Sequence, residues 1–174
     1  MYPAHLAAVD LIEQVSFPSA RSTAFYTVEL KQNRLAHYWV ITPTVADGAL
    51  PPLLAYGGYW LTGDEAHVVV IATAPLWRRH GLGGWLLLEM AAAARTQGAS
   101  SLTLEVRAGN LAARHFYANL GFHEVGLRKR YYRDTGEDAH LLTRFGLDHE
   151  PIWAPLALTL EALRKRFSAD TQWG

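Results

Sequence analysis

Arg78, Arg79, His80, Gly81, Leu82, Gly83 and Gly84 stand between an apolar run, Val68 to Ala74, and a helical pattern from Trp85 to Arg95. The run is short and rich in β-branched residues, as a buried strand is. Pro75 ends it, because proline has no N–H to give the next rung of a ladder. A glycine-rich turn at that point gathers several backbone N–H groups at the start of a helix. With the helix dipole and two arginines beside it, the turn is an anion site, best suited to a pyrophosphate. The spacing Arg78-x-x-Gly81-x-Gly83 is not the dinucleotide fingerprint, since Leu86 falls where the third glycine belongs. Nor is it a P-loop, which ends in Gly-Lys-Ser/Thr. The plainer alternative is a turn that merely closes a βα unit.

The elements that must position this turn follow from hydrophobic period. His5 to Val15 carries Leu6, Val9, Leu11, Ile12 and Val15 near helical spacing, and Phe17-Pro18-Ser19 breaks it. Ser22 or Thr23 caps a second helix bearing Phe25, Val28 and Leu30, with Asn33 as its stop. His37 to Thr42 is a strand, Pro43 to Pro52 a loop, and Leu53 to Leu61 a strand whose Gly57-Gly58 pair signals a bulge or a close backbone approach. A turn at Thr62 to Asp64 leads into the central strand. After the long helix, Gly98 is the stop and Ser101 to Val106 a strand, giving a right-handed parallel βαβ unit. Thr103 and Glu105 then share one face, and Leu102, Leu104 and Val106 the other. Asn110 caps a helix from Leu111 to Leu120, ended by Gly121. Strands around Phe122 to Tyr132 and Ala139 to Leu147 are joined by a polar turn at Asp134 to Glu137.

Past Leu147 the character changes. Glu150-Pro151 and Ala154-Pro155 form a hinge, and Leu156 to Phe167 is an amphipathic helix with Leu156, Leu160, Leu163 and Phe167 on one stripe. It packs back on the domain or serves a partner, including a second copy of the chain. The expected division is 1–147 as the domain and 148–174 as a C-terminal extension.

Composition bounds the classes. At 174 residues the length suits one domain. The formal net charge is +0, so no global field draws the chain to nucleic acid or an anionic membrane. With no cysteine there is no disulfide, no thiolate nucleophile and no Cys-based zinc site. The eight histidines lack ligand-like spacing and belong to the surface or to polar networks, so no metal is expected. The first residues lack a basic n-region and a long apolar h-region, no apolar run approaches 18 residues, and a cytoplasmic location is the expectation.

A second stretch, Thr103 to Phe122 (TLEVRAGNLAARHFYANLGF), adds a further pattern. Leu104, Glu105, Val106, Arg107, Asn110, Ala113, Tyr117, Gly121 and Phe122 match Leu-Glu-Val-Arg-x-x-Asn-x-x-Ala-x-x-x-Tyr-x-x-x-Gly-Phe in order. Together with Arg78-x-x-Gly81-x-Gly83, the acyl-CoA signature, this resembles the GCN5-related N-acetyltransferase (GNAT) superfamily. Its RimI-type ribosomal-protein-alanine N-acetyltransferases are the most similar branch. Phe17-Pro18, Asp64-Glu65-Ala66-His67 and Arg130-Tyr131-Tyr132 through Ala139 resemble that branch too, so the likeness runs from about His5 to Leu147.

The resemblance implies an α/β (α+β) fold with a mixed central sheet and helices on both faces, its first strand missing or reduced to Met1–Pro3. It implies acetyl-CoA as co-substrate, held by the main chain of Ile71, Ala72 and Thr73 and by Arg78, Arg79, His80, Gly81, Leu82, Gly83 and Gly84. Asn110, Ala113 and Tyr117 would also lie against the cofactor, with Tyr117 facing its sulfur as general acid. Glu105, at the end of a strand beside the cofactor strand, is placed to take the ammonium proton, directly or through water. Its alternative is an ordinary strand-end glutamate paired with Arg107.

The acceptor can be argued from acidity. An α-amine, of pKa about 8, is roughly a tenth neutral at pH 7, and a lysine amine, at about 10.4, less than about a thousandth. One glutamate with water therefore suits a protein N-terminus, here expected to be alanine on a small-subunit ribosomal protein. A small amine or a lysine is the second expectation, and a non-catalytic acyl-CoA sensor or interaction module the third. The absence of cysteine leaves direct attack as the route. The chain departs from the branch at Val70, where asparagine is common, at Ser19 to Ser22, where a tryptophan is common, and at Arg133, which replaces a common proline.

Overall fold

Burial along the chain follows the periods above closely enough to build both layers of the fold. The structure is a computed structural model that describes residues 1–43 and 52–169, so most of the loop expected over Pro43 to Pro52 lies outside the described residues. The elements are α1 (Leu6–Ser16), α2 (Thr23–Gln32), β1 (Ala36–Ile41), β2 (Ala55–Thr62), β3 (Glu65–Thr73), α3 (Leu82–Thr96), β4 (Ser101–Arg107), α4 (Leu111–Asn119), β5 (His123–Tyr132), β6 (Glu137–Phe145) and α5 (Glu150–Ala169). The strands form one sheet in the order β1-β2-β3-β4-β6-β5. Only β3 and β4, joined through α3, run parallel, and every other neighbouring pair is antiparallel. No strand precedes α1 among the described residues, where Pro3–His5 form a 3-10 turn and the Met1 amine donates to the Tyr38 carbonyl at 2.8 Å.

Each sheet face carries its own core. Leu6, Val9 and Ile12 of α1 and Tyr26 of α2 pack with Tyr38, Tyr56 and Val70 on one side. Leu82, Leu86, Leu87 and Met90 of α3 pack with Leu102, Leu104, Tyr117, Trp153 and Phe167 on the other. The helix phases differ from expectation at two places. Leu11 and Val15 of α1 are exposed, because the buried stripe runs through Leu6, Val9 and Glu13. In α2 it is Tyr26 and Glu29 that are buried while Val28 faces water, since those polar groups find partners inside. The α2 cap is as expected, with Ser22 Oγ accepting from the Phe25 N–H at 3.2 Å.

The Gly57-Gly58 pair marks both of its expected features. The β2–β3 register shifts between Gly58 and Tyr59. A Cβ on Gly58 would stand 2.3 Å from the Tyr38 ring, and one on Gly57 2.9 Å from the Met90 sulfur. The irregularity places Val69 between the β3 partners of those two residues. As a result Ala66 and Val68 face α3, whereas Val70 and Ala72 face α1 and α2.

The hinge expected at Glu150 to Pro155 is instead the first part of α5. Pro151 falls in the first turn, where an N–H has no partner within the helix in any case. The His149 carbonyl starts the ladder by accepting from Ile152 and Trp153. Pro155 costs one hydrogen bond inside the helix, and the buried Trp153 beside it holds the segment down. α5 lies on α3, burying Trp153, Leu160 and Phe167. Among the described residues no helix is long and apolar enough to cross a membrane.

Candidate active site

β3 and β4 pair only through Glu65, Ala66 and His67 with Ser101, Leu102 and Thr103. Beyond that they part, and the β4-facing main chain of β3 is left without a ladder partner. Arg21 takes the Val69 carbonyl at 3.0 Å and Arg78 the Thr73 carbonyl at 3.2 Å. The opening continues into a cavity of about 540 Å³ between the two strands. Ile71, Glu105, Asn110, Ala113 and Tyr117 line it, with the Ser16 to Ser19 loop and Tyr131 to Asp134 at its outer rim. Five of the expected site residues thus meet in one place. Ala72 is not among them, because its side chain is buried on the α1–α2 face.

The glycine turn lies at the far end of β3, outside this cavity. Gly81, with φ +93°, is the N-cap of α3, and no side chain caps the helix. The first N–H groups of α3 therefore have no acceptor within the helix or from a cap, as an anion site requires. Arg79 also adopts a left-handed backbone, at φ 67°. His80 Nδ1 is 2.9 Å from the Arg78 carbonyl, Leu82 is buried, and Gly83 lies against Thr73 and Gly84 against Phe116. The Arg78 guanidinium turns back to Thr73 and to Ser16 Oγ at 3.0 Å, tying the turn to the end of α1.

Glu105 has partners other than the Arg107 considered from sequence. His67 Nε2 is 2.8 Å from Glu105 Oε2, and Arg128 Nη1 is 3.0 Å from Oε1. The Arg128 guanidinium is not aligned to donate, so the buried Oε1 has no hydrogen bond among the described residues and keeps its lone pairs. Burial pushes the Glu105 pKa up, but the hydrogen bond and charge of His67 and the charge of Arg128 outweigh it and hold the carboxyl below its usual range. The same hydrogen bond raises the His67 pKa above 6.5 against the effect of burial. Arg107 instead grips Asp134 at 2.6 Å and Glu137 at 3.3 Å and lies over the Tyr132 ring.

These shifts set a pH window for stability. The His67 contribution is complete below 6.5 and fades as pH rises through its raised folded pKa. The Glu105 contribution is complete above 4.5 and fades as pH falls through its lowered folded pKa. The stability lost in His67→Ala is therefore largest between pH 4.5 and 6.5 and shrinks above it. Urea melts across pH check this, and a pH-independent difference contradicts it.

Tyr117, on α4, lines the same cavity. Asn110 Oδ1 caps that helix by accepting from the Ala113 N–H at 3.1 Å. The Tyr117 hydroxyl has no hydrogen bond among the described residues, and burial, then the nearby Tyr132, push its pKa well up. It holds its proton at neutral pH.

Sequence reasoning did not assign roles to three residues that shape this site. His67 is one, and the parallel register that sets it opposite Thr103 is the signal for it. The others are Glu13 and Arg21. Buried Glu13 accepts from Tyr26 Oη, from Tyr56 Oη at 2.5 Å and from the Arg21 N–H at 2.8 Å, with the Arg21 guanidinium 3.7 Å away. This carboxylate pins the loop that forms one wall of the cavity.

Comparison with known proteins agrees with this architecture. The model of the Acetyltransferase (GNAT) family matches residues 6–122. The putative ribosomal protein bS18-alanine N-acetyltransferase of Bacillus subtilis (strain 168) is 37% identical over 131 residues, covering 75% of this chain and 83% of that protein. An N-alpha-acetyltransferase of Sulfurisphaera tokodaii is 32% identical over 148 residues, 80% of this chain and 88% of that protein. The crystal structure of the ribosomal-protein-S18-alanine N-acetyltransferase from Escherichia coli superposes with a TM-score of 0.71 at 30% identity, over 82% of this chain and 88% of that one. The fold, the glycine turn at the start of α3 and these relatives agree: the chain belongs to the GNAT acetyltransferase family.

Proposed function

We propose that this acetyl-CoA-dependent N-acetyltransferase acts on the α-amine of a protein N-terminus, and that the terminus is an alanine of a small-subunit ribosomal protein. The observation that carries the reading is that Glu105 and Tyr117 line the same cavity. Glu105 offers an unbonded, buried carboxylate oxygen, and Tyr117 a buried hydroxyl that keeps its proton. Two of the relatives are named as alanine N-acetyltransferases of ribosomal protein bS18 or S18. A cytoplasmic location, where ribosomal proteins are made, goes with the proposal.

In this reading the N–H groups of Arg79 to Gly84 hold the pyrophosphate of acetyl-CoA, with Arg78 fixing the turn against β3. The β4-facing main chain of Ile71 and the N–H of Thr73, whose carbonyl Arg78 already takes, meet the pantetheine amides, Ala72 being turned to β2, and Asn110 and Ala113 border the arm. Bound there, acetyl-CoA supplies the acetyl group as a thioester. Glu105 receives the proton of the incoming ammonium, directly or through water. The amine nitrogen forms the new C–N bond, the C–S bond breaks as Tyr117 gives its proton to the departing sulfur, and the second proton released by the nitrogen as it becomes an amide returns to the Tyr117 oxygen. His67 and Arg128 keep Glu105 ionised and oriented.

The test is steady-state thiol release from acetyl-CoA with an Ala-starting peptide. Wild type turns over, and Tyr117→Phe lowers kcat by about a hundredfold with little change in peptide KM. Equal kcat in the two proteins removes Tyr117 from the mechanism, and no thiol release by wild type refutes the acceptor class.

A further inference from the structure

The C-terminal end of α5 lies against the glycine turn. α5 runs antiparallel to α3. Near its start, Arg95 of α3 bonds Glu150 at 2.6 Å and lies over the Trp153 ring. Midway, Arg164 holds both carboxylate oxygens of Glu89 at 2.7 Å. At its end, Phe167 stacks on Trp85 with ring centres 4.9 Å apart. Arg166 is thereby carried to the turn. Its Nη1 stands 3.6 Å from the point a Cβ of Gly81 would occupy, beside the Phe167 ring at 3.7 Å.

The charge at this spot has few other uses. Among the described residues no carboxylate is within ion-pair distance of Arg166, whose guanidinium rests over Phe167 at 5.3 Å from the ring centre. The antiparallel packing also brings the carbonyl end of α5, with its negative partial charge, toward the start of α3. On its own that end would repel an anion there, and a cation in the last turn offsets it. The motif's own Arg78 is engaged by Thr73 and Ser16. A guanidinium can meet two phosphate oxygens at once, which an ammonium does less well.

We propose that Arg166 is a further cofactor-binding residue: its guanidinium pairs with the pyrophosphate held at the Gly81 turn, so that the C-terminal helix completes the cofactor site. This rests on the turn being the phosphate site of acetyl-CoA. The test is calorimetric titration of full-length wild type, Arg166→Ala and Arg166→Lys with CoA and with 3′-dephospho-CoA, at two salt concentrations. Arg166→Ala is expected to bind both ligands about fivefold to tenfold more weakly, with a shallower salt dependence. Lysine is expected to restore part of the loss, and the melting temperature of the cofactor-free protein to stay unchanged. Equal affinity in wild type and Arg166→Ala overturns the proposal alone. So does a loss with CoA that vanishes with 3′-dephospho-CoA, which assigns Arg166 to the ribose phosphate. A loss accompanied by a lower melting temperature and not relieved by lysine assigns Arg166 to packing, and overturns it too. Wild type that binds neither ligand refutes the cofactor reading of the turn, and the proposal falls with it.

Discussion

Glu105→Gln is expected to lower kcat for an Ala-starting peptide by about a hundredfold or more and to leave CoA affinity within about twofold. The glutamine keeps the shape and the polar contact but accepts a proton far less readily than a carboxylate. The thioester is not held by this side chain, so binding is spared. Stopped assays across pH separate this from a structural role. If Glu105 only anchored His67 and Arg128, the variant would lose stability and keep its turnover. Because its pKa is held low, Glu105 stays ionised down to acidic pH. The rise in wild-type kcat/KM above pH 6 then combines the acceptor amine, whose neutral fraction grows nearly tenfold per unit well below a pKa of about 8, with loss of the His67 charge above its raised pKa.

The second large effect is on stability. Glu13→Ala is expected to cost on the order of 3 to 5 kcal/mol. It leaves the Tyr26 and Tyr56 hydroxyls and the Arg21 N–H without their shared acceptor in a site closed to water. For a domain of this size such a loss lowers the melting temperature by roughly 10 °C. The loop that Glu13 pins lines the cavity, so under the proposed function peptide KM should rise even where the variant is fully folded. Chemical denaturation checks the first effect, and peptide kinetics at low temperature the second. A loss below about 1 kcal/mol contradicts the account of Glu13 as the centre of that network.

Most of the architecture was legible because its signals are local. Pro75, Gly81, Gly98, Asn110 and Gly121 punctuate the chain where elements stop and start, and Gly57-Gly58 announced a close approach that the Tyr38 ring then explains. Glu105, Asn110, Ala113 and Tyr117 sit in one continuous stretch, so one motif places them together. Other features depend on long-range partners. Glu13 lies on the apolar stripe of α1, four residues after Val9, but its tyrosines come from α2 and β2. His67 meets Glu105 only once the parallel register is set, and Arg128 reaches it from a strand at the sheet edge. The phase of α2 departs from its apolar pattern for the same reason. Glu29 is buried because Tyr38 Oη and Trp60 Nε1, from two other strands, donate to it. The segment from Glu150 to Pro155 reads as a hinge because proline breaks helices in their interior, whereas Pro151 stands in the first turn.

The most direct measurement is mass spectrometry of peptides incubated with the enzyme and acetyl-CoA. The peptides start with Ala, Ser, Met or Gly, and a further one is N-blocked and contains lysine. The account predicts an acetyl group on the Nα of the Ala-starting peptide, none on the blocked lysine peptide, and loss of the product in Glu105→Gln. Acetylation of the lysine side chain alone, or tight acetyl-CoA binding with no modified peptide, would contradict it.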